Sequence, residues 1–189
     1  MNFLEHFGKA LIELRHTRII SIITVIFAFV YHLVFLFVFK ALGVMPMFYF
    51  NFISITVFLC LLLVESRLKS FLVPYIIAFA EVVAHQILAD YYLGGNSSFH
   101  FFILLMGVIP VVTFERHFLL QIIFQMLGYT GFIVFECIET RILPKYEIAD
   151  HVITVIKAVN ISLTMFVICC ILFIFAFFLQ AIQKSLQIK

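Results

Sequence analysis

Charge is scarce in this chain: Lys, Arg, Asp and Glu together make up 12% of its 189 residues. That share excludes an ordinary soluble surface, which carries roughly twice as much. The basic residues form no polybasic block and the formal net charge is only +2, which argues against nucleic acid as a partner. The four cysteines, Cys60, Cys137, Cys169 and Cys170, contain no Cys-x-x-Cys pair, so neither a disulfide framework nor a zinc knuckle is indicated. Lying in or beside apolar runs, they read as small core residues. The opening MNFLEHFGKALIELRHTR carries acidic residues and lacks a small-residue cleavage site, against a cleaved signal peptide. No internal repeat is visible, so an inverted-repeat transporter finds no support.

What the chain has is apolar length. It is 65% hydrophobic with 26 Phe and a mean hydropathy of +1.22, the composition of an integral membrane protein. Crossing a hydrocarbon core of about 30 Å takes about 20 residues. Six runs qualify, over 19–39, 46–64, 71–90, 99–114, 118–138 and 152–182, the fourth being the shortest. Breaks fall at 43–46, at 65–69, at 94–98, at 115–117 and across 139–150, where Gly, Pro and charge interrupt the pattern.

An even number of spans puts both termini on one side. Lys9, Arg15, Arg18, Arg67, Lys69, Arg116, Lys184 and Lys189 share that side, which the positive-inside rule makes cytoplasmic. Asp90, Glu139, Glu147 and Asp150 collect on the other, and Glu136 lies near it. Within residues 1–18, Phe3, Leu4, Phe7, Leu11 and Leu14 recur at helical spacing with charges elsewhere on the wheel, as an interfacial amphipathic helix requires. From His151 to Lys189 no Gly or Pro intervenes, so the last helix is expected to emerge into the cytoplasm, with 183–189 beginning a signalling helix. Phe175, Leu179, Ile182 and Leu186 follow a heptad-like seam on which two copies would pair as a homodimer.

Candidate functional residues lie inside the apolar runs. Glu81 and His85, four apart in the third span, share one helical face. Counting about 1.5 Å per residue from the cytoplasmic boundary puts Glu81 at roughly 15 Å and His32, Asn51, His85 and His100 at roughly 20 Å. Each needs a partner, because an unsatisfied polar group in hydrocarbon costs several kcal/mol. Convergence into one interior cluster is expected. Three readings of it stand: a network that fixes helix positions, a ligand or proton sensor, and a metal or haem site built on His32, Glu81 and His85. The turn 94–98, leading into Phe99 and His100, would rim a pocket facing outward. Gly128 and Gly131 mark a close helix contact, and Pro110 interrupts the fourth span.

Tyr31-His32, Asn51-Phe-x-Ser54, Glu81-x-x-x-His85, Gly94, Phe99 and Pro110 together resemble the six-helix membrane input domain of bacterial nucleotide cyclases, diguanylate cyclases with GGDEF output and some class III adenylate cyclases, over residues 20 to 180. The resemblance implies a dimeric sensor in the bacterial inner membrane whose last helix passes a conformational change to a cytoplasmic cyclase. No phosphate-binding loop, GGDEF motif or metal-binding aspartates stand in these residues, so no catalysis is assigned to them: the reading is either an input domain of a longer parent that carries the cyclase or a stand-alone membrane protein of the same build.

The expectation is therefore an all-α, six-span, multi-pass bundle, with the interfacial helix over 1–18, the sensor domain over 19–182, and His32, Asn51, Glu81, His85, Phe99 and His100 as its ligand-binding or switch residues. No cofactor is expected. A small transporter, or a metal- or haem-binding membrane protein without a cyclase partner, is the alternative.

Overall fold

The computed structural model describes residues 3–65, 71–113, 118–138 and 141–187, with side chains of 3–17, 65, 181, 182 and 184–187 outside the description. Among the described residues six α-helices follow one another: α1 Phe3–Ala41, α2 Met45–Glu65, α3 Leu72–Leu93, α4 Phe101–Thr113, α5 Phe118–Ile138 and α6 Asp150–Gln187, with a 3-10 turn Gly95–Ser97 between α3 and α4. They alternate up and down. One end of the bundle, the terminal end, holds the start of α1 and the end of α6, and the other holds the turn 42–44, the 3-10 turn and the segment 141–149.

Among the described residues, five helices are long and apolar enough to cross a membrane: Arg18–Ala41 within α1, Met45–Val64 within α2, all of α3, all of α5, and Asp150–Gln180 within α6. The fourth expected span is different. α4 has 13 residues, about 20 Å of helix, too short for a hydrocarbon core of about 30 Å. It is also the most enclosed helix, packed against α1, α3, α5 and α6 with nine of its residues buried. A helix surrounded by protein satisfies its ends locally and need not match the lipid thickness.

Two contacts make that central position possible. Gly128 of α5 crosses Gly107 of α4 so closely that a Cβ on Gly128 would stand 2.7 Å from the Gly107 Cα. The expected close contact at Gly128 is thus with α4. Pro110 lacks the N–H that would reach the Met106 carbonyl, and the Tyr75 hydroxyl of α3 donates to that carbonyl instead.

The exterior is as apolar as the interior. Phe118, Leu119, Ile133 and Phe173 lie out in the open on α5 and α6, where lipid would cover them. Cys60, Cys137 and Cys169 share that exposure and Cys170 is half-buried, so they are not core residues. Hydropathy does not separate core from lipid face when both are hydrocarbon.

α1 runs unbroken from Phe3 into its spanning part, while the amphipathic side chains expected over 1–18 lie almost wholly outside the described ones. In the α6 seam Phe175 is half-buried and Leu179 exposed; Ile182 and Leu186 lie outside the described side chains.

Candidate functional site: two buried polar clusters and a cavity

Glu81 and His85 both point into the bundle, as their spacing requires, but they do not bond each other. The nearest charged partner of Glu81 is His32 on α1, with Nε2 3.5 Å from Oε2. Asn51 on α2 fixes the other side of that ring. Its Nδ2 donates to the Met47 carbonyl at 3.1 Å, so its Oδ1 is the acceptor facing His32 Nδ1 at 2.9 Å. Nδ1 therefore carries a proton, and Nε2 is left to face Glu81.

His85 is the exception in this cluster. Its ring meets His32 edge to face, with centroids 4.5 Å apart, among Phe39, Phe50 and Phe99. Its polar neighbours are His32 and Gln86, yet neither ring nitrogen meets hydrogen-bond geometry with them. The Glu81 oxygens and Gln86 Oε1 are likewise buried without a hydrogen bond. On α3, both ring nitrogens of His85 and the Oε1 of Gln86 thus lack hydrogen-bond geometry inside the bundle, and Glu81 has only its long contact to His32.

His100 belongs elsewhere. α4 begins at Phe101, so His100 precedes the helix and sits near the loop end, one layer above the depth that counting along a full-length span gives it. Its Nδ1 faces Asp90 Oδ2 at 2.9 Å and its Nε2 faces Glu136 Oε2 at 3.0 Å. Asp90 Oδ1 also accepts from the Ser97 hydroxyl at 3.0 Å and from the Phe99 N–H at 3.3 Å. Asp90 and Glu136, read from sequence as outer-surface acids, are parts of the site.

The expected single cluster is therefore two, and side chains join them. The Ser97 carbonyl accepts from Asn160 Nδ2 of α6 at 3.0 Å, and Asn160 Oδ1 accepts from the Tyr31 hydroxyl at 3.2 Å. Tyr31 packs edge-on against His32, centroids 5.6 Å apart, and Phe99 lies between His85 and Phe35. Asn160 escaped the sequence reading, although Asn160 and Thr164, both wholly buried, repeat the four-residue polar spacing of α3 on α6.

The turn 94–98 does border a cavity, of about 150 Å³ between Gly94, Asn96, Ile142, Pro144 and Tyr146, but none of His32, Asn51, Glu81, His85, Phe99 and His100 lines it. Gly94 takes φ 87°, packs against Pro144, and the Gly95 N–H bonds to the Ile142 carbonyl, so 141–149 covers it and Ser97 and Ser98 are buried. The cavity that reaches His32 extends the other way, between α1, α3 and α4 toward the terminal end. It measures about 70 Å³, several times what one water needs, and Tyr31, His32 and Gln86 form its inner end.

Among the described residues no group of three His, Cys, Asp or Glu side chains is arranged to hold a metal ion, and this covers His32, Glu81 and His85. Compared with protein-family models, curated proteins and solved structures, the chain matches none.

Proposed function

We propose that this chain is a membrane-embedded sensory domain, in which the state of the buried polar site alters how α6 seats against the bundle. The carrying observation is the hydrogen-bonded run from His100 and Asp90 through Ser97, whose carbonyl meets Asn160, to Tyr31, which ties the His100 cluster to α6 and ends on Tyr31 packed against His32. A structural network has no need of a His85 without hydrogen bonds beside a Glu81 held only by a 3.5 Å contact to His32, since an unsatisfied buried group costs about 1–3 kcal/mol. Groups held at that cost in a membrane interior are those a ligand or a proton engages.

α6 is the natural output. Its 38 residues make about 57 Å of helix, well beyond a hydrocarbon core, and it continues past the spanning part at Gln180. In line with the cyclase input domains the chain resembles, the reading is of a homodimer with cytoplasmic termini whose α6 drives a nucleotide cyclase. A ligand acts in this scheme only by binding two α6 positions with different affinity.

The test is a chimera with a diguanylate cyclase joined after Lys189. Glu81→Gln and Asn160→Leu, each expressed at normal level, are expected to shift cyclase output several-fold. Output equal to the parent chimera in both variants would overturn the proposal.

A further inference from the structure

His100 is held at both ring nitrogens by carboxylates from two different helices. Asp90 of α3 stands 2.9 Å from Nδ1, and Glu136 of α5 stands 3.0 Å from Nε2. Each contact needs a hydrogen between nitrogen and oxygen. A neutral imidazole between two ionised carboxylates has one hydrogen for two contacts, so the arrangement holds one proton more than that. Without it, a ring lone pair would face a carboxylate oxygen.

The three groups differ in their freedom to respond. His100 and Asp90 are wholly buried, and Asp90 Oδ1 is fixed by the Ser97 hydroxyl and the Phe99 N–H. The Glu136 side chain is half-exposed and lies in the last turn of α5, a helix that rests chiefly on α4. Phe132 and Phe135 beside it face the His100 ring. Glu136 is therefore both the entry for the proton and the contact that gives way when the proton leaves.

Of the elements around His100, α3 presents Asp90 and α5 presents Glu136, and the charges acting on the ring come from these two. Ser97 of the turn and Asn160 of α6 do not titrate, and Tyr31 of α1 connects to Asp90 through them. His100 precedes α4 and lies outside the spanning helices. Burial disfavours its charge, but the hydrogen bonds and charges of Asp90 and Glu136 outweigh burial and raise its pKa above the ordinary imidazole value.

We propose that Asp90, His100 and Glu136 form a binding site for one proton taken up at the loop end, and that this proton clamps the end of α5 to the bundle. Its loss frees Glu136 and loosens the last turn of α5. Asp90 also holds Ser97, whose carbonyl holds Asn160, so the same site touches α6. This assignment rests on the sensory reading for its output, while proton binding is measured on the purified chain alone. The clamp's stabilisation is complete below the ordinary imidazole pKa of about 6.5 and is lost as pH rises through the raised value.

The experiment is imidazole nitrogen NMR of the purified protein from about pH 5.5 to about pH 8.5, with His100 assigned by His100→Gln, together with hydrogen exchange of residues 132–138. His100 should carry two ring protons at the acid end and one at the alkaline end. The 132–138 amides should exchange several-fold faster at the alkaline end after correction for the intrinsic rate. The amide of Glu136→Gln can either accept from Nε2 or donate to it. That variant should bind the proton about three-fold more weakly, a downward shift of about half a pH unit, and exchange 132–138 equally at both ends. Ring protonation of His100 that does not change across the range, or exchange of 132–138 indifferent to pH in the parent protein, would overturn the inference. A cyclase chimera unresponsive to its variants beside both expected results would overturn the sensory reading and leave the proton site standing.

Discussion

Tyr75 donates its phenolic hydrogen to the Met106 carbonyl, the acceptor that Pro110 leaves empty four residues later in α4. A proline in a buried helix is tolerated because a side chain of the neighbouring helix replaces the missing N–H. Tyr75→Phe should therefore destabilise the protein by about 1–2 kcal/mol in detergent unfolding. In a Pro110→Ala background the helix supplies its own donor, and the same substitution should cost clearly less.

Gly128 and Gly131 differ in what they face. A methyl at Gly128 meets the Gly107 backbone at 2.7 Å, whereas one at Gly131 meets the end of the Ile103 side chain at 3.3 Å. Backbone does not yield and a side chain does. Gly128→Ala is expected to cost about 1–3 kcal/mol in thermal unfolding and Gly131→Ala well under half as much.

His85 is buried with no hydrogen bond, in a cage of Phe39, Phe50, Phe99 and His32. His85→Phe removes an unsatisfied group and keeps a ring. It should leave the unfolding midpoint unchanged or raise it, while altering output of the cyclase chimera. A fall in stability with no change in output would mark His85 as structural.

The two carboxylates on His100 are unequal. Asp90 is buried and takes three donors, whereas the Glu136 side chain is about half exposed. Asp90→Ala strands the Phe99 N–H and leaves His100 Nδ1 without a partner, while the Ser97 hydroxyl keeps the Gly94 carbonyl, and should cost about 3 kcal/mol. Glu136→Gln should cost under about 1 kcal/mol, read in the same unfolding assay.

Helix positions were legible because Gly, Pro and charges interrupt apolar runs. The expected 46–64 and 118–138 agree closely with Met45–Glu65 and Phe118–Ile138. Which side of a helix faces inward was not, because lipid and core look alike to a sequence; Cys60 and Cys169 show it. The fourth run stood out as the shortest, but the start of α4 was not legible, since the expected run begins at Phe99 whereas the helix starts at Phe101. That two-residue difference carries His100 out of the Glu81 layer and over to Asp90. His32, Asn51 and Glu81 were legible as neighbours because depth alone fixes their meeting on three adjacent helices. The link to α6 was not, because Asn160 sits in a run where a lone amide breaks no pattern.

The central claim is that the site around Glu81 and the α6 residue Asn160 act as one unit. A double-mutant cycle on the cyclase chimera, with Glu81→Gln, Asn160→Leu and both together, measures it. Coupled sites should give a combined effect that departs from the sum of the single effects by at least about 0.5 kcal/mol. Simple additivity of two sizeable single effects would contradict the account.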